Sequence, residues 1–238
     1  MIAADLPEGE LHLWRIRLHG PVESVARAAA LLSDDERDRM ARYRFEPHRR
    51  RFALRRGAMR VILAGYLDAD PRKLSFRYTD RGKPELAGHG GSLRFNLSDS
   101  EDLAILGIAD GRRIGVDVER LTEVPEMDDI ARNHFSEHEL QQYAGAAPAS
   151  RTRCFYNAWT RKEAWLKARG DGLSAELSGF DVTLAIGRPA RLLEVRGERG
   201  EAQRWCLYAC TPAAGYVAAV AVEGTRLKLV RRRYDPGS

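Results

Sequence analysis

The chain spells one series of local signals twice, 103 positions apart. Ser33-Asp34-Asp35-Glu36 has capping-box spacing, in which the serine oxygen and the glutamate satisfy each other's free backbone donors, and Ser136-Glu137-His138-Glu139 repeats it. A helical run follows each box, Arg49 to Tyr66 with Phe52 on its apolar stripe and about Arg153 to Arg169 with Phe155. Arg17-Leu18 and Arg120-Leu121 end two alternating, strand-like segments at the same offset. Helix, cap and strand sharing one shift predict an α+β fold of two pseudo-symmetric halves. Each half is expected to be a small antiparallel sheet packed with helices, with domains at 1–112 and 113–238 and an active site at their interface. Further short, turn-bounded strands are expected at Leu93 to Leu97, Leu103 to Ala109, Phe180 to Ile186, Trp205 to Cys210 and Tyr216 to Val222. The tail Arg231-Arg232-Arg233 reads as a solvated terminus.

Superposed at that offset, the halves differ in chemistry. Asp117 and Glu119 replace Trp14 and Ile16, and Glu163 replaces Arg60. Alternation along a strand points Asp117 and Glu119 the same way, while Val116 and Val118 imply a buried opposite face that fixes the register. A helical Glu163 adds a third carboxylate. Three hard oxygen donors suit Mg²⁺, with Mn²⁺ as the substitute ion, and an incomplete protein shell suits a phosphorylated ligand. The plainer readings are two solvated acids on a strand and a surface pair Glu163–Lys167 of about 0.3–0.5 kcal/mol. The first half carries arginine clusters and the turn Gly82-Lys83-Pro84, so a polyphosphate could lie between the two sets of charge.

At 238 residues the chain can bury a sizeable core. Its net charge of +5 favours polyanionic partners or an acidic protein surface. The three cysteines lack metal-ligand spacing, the first ten residues lack a signal-peptide pattern, and no apolar run could span a bilayer. A cytoplasmic monomer is expected, without membrane or nucleic-acid partners. Two rival functions fit subsets of the residues: a Mg²⁺-dependent phosphohydrolase or nuclease built on the three acids, and a basic nucleic-acid-binding module built on the arginines with Tyr43, Phe45 and Phe52.

Four motifs in order favour another reading. Gly82-Lys83-Pro84, Phe95-Asn96-Leu97-Ser98, Gly115-Val116-Asp117-Val118-Glu119 and Trp159-Thr160-Arg161-Lys162-Glu163-Ala164 through Lys167 resemble the long, single-chain class of phosphopantetheinyl transferases, the surfactin-synthetase type. The likeness runs from about Leu32 to Phe180. It implies transfer of the 4′-phosphopantetheine arm of coenzyme A to a serine of an acyl or peptidyl carrier protein, releasing adenosine 3′,5′-bisphosphate. Carried over by position, Asp117, Glu119 and Glu163 would hold Mg²⁺ against the pyrophosphate and Lys167 would contact the attacked phosphate. Glu163, or a water it orients, is the candidate base. The resemblance further implies nucleotide contacts in the first half: Arg56, with His48 or Arg49 as a second contact, Lys83, and Asn96 and Ser98. One departure stands out. Where many relatives carry a histidine between two serines, this chain has Asp99, which must turn outward, pair with an arginine, or accompany a different hold on coenzyme A.

Overall fold

The computed structural model describes residues 5–79, 82–88, 91–170 and 176–237. The chain divides into two units, Met1–Gly111 with Val230–Ser238, and Arg112–Leu229. The division falls beside the expected 112/113 boundary, but the last nine residues belong with the first unit. Among the described residues no helix is long and apolar enough to cross a membrane.

The first unit opens on strand β1 (Glu10–Arg17), followed by helices α1 (Val22–Ala29), α2 (Asp34–Ala41) and α3 (Glu46–Leu67). Next come the short hairpin β2 (Phe76–Tyr78) and β3 (Pro84–Leu86), then β4 (Leu93–Ser100) and β5 (Leu103–Asp110). β5 lies antiparallel between β1 and β4. Trp14, Ile16, Phe95, Leu106 and Ile108 on one sheet face close a core with Leu54, Met59, Ile62 and Leu63 of α3. α1 crosses α3 at Gly57, where an added Cβ would sit 2.8 Å from the Ala28 methyl, so only glycine permits that approach.

The second unit repeats the order with β6 (Ile114–Arg120), α4 (Met127–His134), α5 (Glu137–Ala144) and α6 (Pro148–Arg169). β7 (Phe180–Val182) pairs with β8 (Leu192–Val195). β9 (Trp205–Cys210) and β10 (Tyr216–Glu223) then complete a three-stranded antiparallel sheet in the order β6-β10-β9. Trp165, Phe180, Trp205, Leu207, Val217 and Ala219 are among the residues of its core. Both long helices begin a few residues earlier than their apolar periodicity suggests, because Pro47 and Pro148 occupy the first turn, where a missing N–H costs nothing.

Two expectations need correction. The strand expected from Phe180 to Ile186 stops at Val182, because Thr183 turns the chain: its backbone N–H donates to Arg191 and its hydroxyl to Pro189. The arginine-rich tail is not a solvated end but part of β11 (Lys228–Tyr234), the outer strand beside β1. Tyr234 packs on the first unit's core, and the Arg232 guanidinium lies 5.5 Å from the centre of the Trp14 ring. Arg231 and Arg233 remain exposed, and edge cations of this kind discourage further strand pairing.

Candidate active site

Gly115 sets the geometry of the second unit. A Cβ there would lie 2.1 Å from the Ala164 carbonyl oxygen and 2.3 Å from the Ala168 nitrogen, so β6 and α6 touch backbone to backbone. The residues two and four positions along β6 are Asp117 and Glu119, and α6 carries Glu163 and Lys167 one turn apart beside the contact. Asp117 is 2% exposed, and its Oδ1 accepts a 2.6 Å hydrogen bond from Lys167 Nζ. Glu119, Glu163 and Lys167 are half-buried.

The charges of these groups act on one another. Burial pushes the Glu163 carboxyl up, Lys167 opposes that shift, and the Asp117 charge adds to it. For Lys167 burial alone would lower the ammonium, but the carboxylates of Asp117, Glu163 and Glu119 outweigh it and raise the group above the usual lysine range. Three carboxyl groups face one ammonium in a partly dehydrated site. The set is all oxygen and suits a hard divalent cation in donor chemistry. Among the described residues, however, no three such side chains are already drawn together as a metal cage, and Lys167 sits on Asp117.

Behind this face the helix is locked. Lys162 is wholly buried and donates to the Leu177 and Phe180 carbonyls at 2.7 and 2.6 Å and to Glu139 at 2.7 Å. Glu139 is the capping-box residue of α5, and it also accepts from the Ser136 and Val182 N–H groups. Sequence reasoning found this glutamate as a cap but missed its buried partner. The signal was present, since a lysine on the apolar side of a helix needs a carboxylate. Trp159 stacks on Phe155, with ring centres 6.0 Å apart, and packs at the edge of the core as expected.

In the first unit the expected nucleotide contacts fall into different environments. Arg56 is 5% exposed and already engaged: it meets Glu36 at 2.5 Å, donates to the Tyr78 hydroxyl at 2.5 Å and lies over the Phe76 and Tyr78 rings. The cause is the buried capping-box carboxylate of Glu36, which draws in Arg56 and Arg60 as counter-charges. His48 is exposed beside Tyr43 and Phe45, and half-buried Arg49 donates to the Tyr43 carbonyl. Lys83 is half-buried, and burial holds its ammonium below the usual range. Asn96 and Ser98 are buried on the face of β4 away from Phe95 and Leu97. Asp99 pairs with Arg55 of α3, which selects one of the three arrangements open to it.

Comparison with known proteins decides the lineage. Residues 113–221 match the family described as the 4′-phosphopantetheinyl transferase superfamily, and residues 20–109 match the 4′-phosphopantetheinyl transferase N-terminal family. The 4′-phosphopantetheinyl transferase HetI of Nostoc sp. is 39% identical over 217 residues, covering 90% of this chain and 88% of that one. This chain belongs to the 4′-phosphopantetheinyl transferase superfamily. A phosphopantetheinyl transferase of Thraustochytrium sp. is 31% identical, with 81% of this chain and 72% of that one covered. The 4′-phosphopantetheinyl transferase Sfp of Bacillus subtilis is 27% identical, with 68% and 70% covered. The long single-chain transferase read from the four motifs thus agrees with the family, whose function is to move the phosphopantetheine arm from coenzyme A to a carrier protein.

Proposed function

We propose that Asp117, Glu119, Glu163 and Lys167 form the centre at which this transferase passes the 4′-phosphopantetheine arm of coenzyme A to the serine hydroxyl of an acyl or peptidyl carrier protein. The observation that supports it is the 2.6 Å ion pair of Lys167 with buried Asp117 at the glycine-tight contact of β6 with α6. Mg²⁺ is the ion this donor set would hold, through Asp117, Glu119 and Glu163, and it would supply neutralisation of pyrophosphate charge. Lys167 binds a phosphate oxygen of the attacked group and keeps its proton, since the surrounding acids raise it. Glu163, or a water it orients, takes the serine proton. The serine oxygen bonds to phosphorus as the bond to the bridging oxygen breaks, and adenosine 3′,5′-bisphosphate leaves. Lys83 and exposed His48 remain the first unit's candidates for the nucleotide phosphate, with Arg49, Asn96 and Ser98 beside them. Arg56, committed to Glu36, is not among them.

Mass spectrometry tests the reading. An apo carrier protein incubated with coenzyme A and Mg²⁺ gains one phosphopantetheine group. Chelation abolishes the gain, and added Mg²⁺ or Mn²⁺ restores it. Glu163→Gln lowers the rate by about 10²–10⁴-fold, the range for loss of a general base. An unchanged rate in Glu163→Gln, or full activity in chelator, would sink the assignment.

A further inference from the structure

His12 of β1 is wholly buried, and both of its ring nitrogens are engaged. Nδ1 lies 2.5 Å from the Tyr66 hydroxyl of α3, and Nε2 lies 3.2 Å from Oε2 of Glu10, two residues back on the same strand face. Trp14 Nε1, which can only donate, reaches the same Tyr66 oxygen at 2.9 Å. One proton arrangement satisfies all three contacts. The Tyr66 oxygen accepts from Trp14, its own proton goes to Nδ1, and the Nε2 proton goes to the Glu10 carboxylate, so His12 is neutral and protonated on Nε2 alone. A further proton on Nδ1 would set two donors against the Tyr66 oxygen and leave the buried hydroxyl proton with no acceptor among the described residues.

Each neighbouring element contributes to the surroundings of the ring. Glu10 faces it along β1, and Asp5 acts more weakly from the segment before that strand. α3 supplies Tyr66, and on β5 the opposite residue is the apolar Ile108. β11 supplies Arg232, which stacks on the Trp14 ring and whose Nε is buried without a hydrogen-bond partner. Trp14, fixed by its bond to Tyr66, is therefore the platform for that guanidinium. An imidazolium would disturb the platform and add a second cation beside it. Burial first holds the His12 imidazole below the usual histidine range; the Glu10 hydrogen bond opposes this and Arg232 adds to it. β11 is the element that can yield, because it is the outer strand, whereas β1 is paired on both sides.

We propose that the chain of contacts His12–Tyr66–Trp14 is an acid-sensitive latch: neutral His12 keeps Arg232 and β11 docked on the first unit, and protonated His12 releases the strand. Release opens the ring to water and restores its ordinary affinity for protons. Docking is then strongest above the ordinary histidine range and weakens as pH falls through that range towards the lowered value of the docked state.

The test uses the intact protein. Long-range proton–nitrogen NMR at about pH 8 should find the His12 proton on Nε2. Hydrogen exchange, with each amide corrected for the intrinsic effect of pH, should show the β11 amides that pair with β1 losing about tenfold in protection between about pH 8 and about pH 5, while those of β5 keep theirs. His12→Gln, which does not titrate, should abolish this pH dependence whatever it does to absolute protection. Arg232→Gln, which leaves the three hydrogen bonds in place but removes the neighbouring cation, should leave only a few-fold loss and serves if His12→Gln does not fold. A proton on Nδ1 at the higher pH, β11 protection that does not fall in acid, a fall shared equally by β5, or a fall undiminished in either variant overturns the proposal.

Discussion

α3 and α6 solve the same problem with different residues, and the difference explains why chemistry resides in only one of them. Each packs against a capping box whose glutamate is buried, Glu36 at 1% exposure and Glu139 at 0%. In the first unit the counter-charges are Arg56 and Arg60, and Arg60 also ties down the Pro71 and Leu74 carbonyls. In the second the counter-charge is Lys162, one position before the counterpart of Arg60. That displacement frees position 163 for a carboxylate facing outward. The strands diverge in step. Where β6 has Gly115, Asp117 and Glu119, the positions 103 earlier hold His12, Trp14 and Ile16. His12 meets the Tyr66 hydroxyl at 2.5 Å, and Trp14 donates to it at 2.9 Å. The first copy fills the strand-to-helix space with rings and two hydrogen bonds, whereas the second closes it to backbone contact and lines its edge with acids.

The largest effect separating the copies should come from their buried ion pairs. Lys162→Met leaves Glu139 with no cation and is expected to cost about 3–5 kcal/mol. Arg60→Met leaves Glu36 its partner Arg56 and should cost less, about 1–3 kcal/mol, mostly from the two stranded carbonyls. Urea unfolding of both variants measures this directly. Equal losses would show that Arg56 and Arg60 do not share the charge as the geometry indicates.

Closer to the chemistry, Gly115→Ala forces a methyl group against the α6 backbone. A destabilisation of about 1–3 kcal/mol is expected from overpacking, together with a transfer rate reduced about 10²-fold as Asp117 shifts against Glu163. His12→Ala, at the matching position, should cost comparable stability through lost packing yet leave the rate within about twofold, since no reacting group adjoins it. Carrier modification followed alongside thermal unfolding distinguishes the two. A Gly115→Ala protein of normal activity would break the link between the tight contact and the site.

The repeat and its consequences were legible because they rest on strong local signals. Both capping boxes, both long helices and the alternation of β6 follow from spacing alone, and the valine neighbours fixed the register that puts Asp117 on the opposite face, although they gave no sign that Asp117 itself is buried. The environment of Arg56 was not legible. Its chain position suits a phosphate ligand, but a buried Glu36 twenty residues away claims it, and only tertiary packing reveals that claim. β11 was missed for a similar reason. Three consecutive arginines look solvated until the outer edge of β1 offers them a ladder. Asp99 lies between: the sequence showed an acid in an unusual place, and the fold supplied Arg55.

Acid titration sharpens the contrast at the catalytic face. As the base, Glu163 must be deprotonated, so the transfer rate falls as pH drops through its folded pKa. In the metal-free protein burial and Asp117 raise that carboxyl and Lys167 opposes them, so a carbon-13 NMR titration without Mg²⁺ should place it above the range of an ordinary carboxylate. Bound Mg²⁺ would pull it down again, so the acid limb of the pH–rate profile should lie below that metal-free value. The Lys167 proton of the metal-free protein is lost only above the usual lysine range. A metal-free titration of Glu163 at or below the ordinary carboxylate range would remove the argument from burial for its role as base.

The smallest expected effect concerns surface pairs, which the two units also build differently. In the second unit Glu223 receives Arg113 through both carboxylate oxygens at 2.9 and 3.1 Å and Arg204 at 2.7 Å. Hydrogen bonds from Arg113, then Arg204, hold its carboxyl at about 2. A depressed carboxylate contributes stability above its unfolded pKa and loses it as pH falls towards its folded value. The contribution of Glu223 should therefore be complete near neutrality and fade between the ordinary carboxylate range and about pH 2. The first unit's exposed pair Arg77–Glu85, at 2.9 Å on the β2–β3 hairpin, has one donor residue and open solvent on both sides. Glu223→Gln should lower the unfolding midpoint slightly at pH 7, by no more than about 1 kcal/mol equivalent, and flatten the acid side of the stability curve. Glu85→Gln should change neither. If the two substitutions respond alike, bidentate geometry contributes nothing beyond ordinary surface pairing, and the second unit's edge is no better secured than the first's.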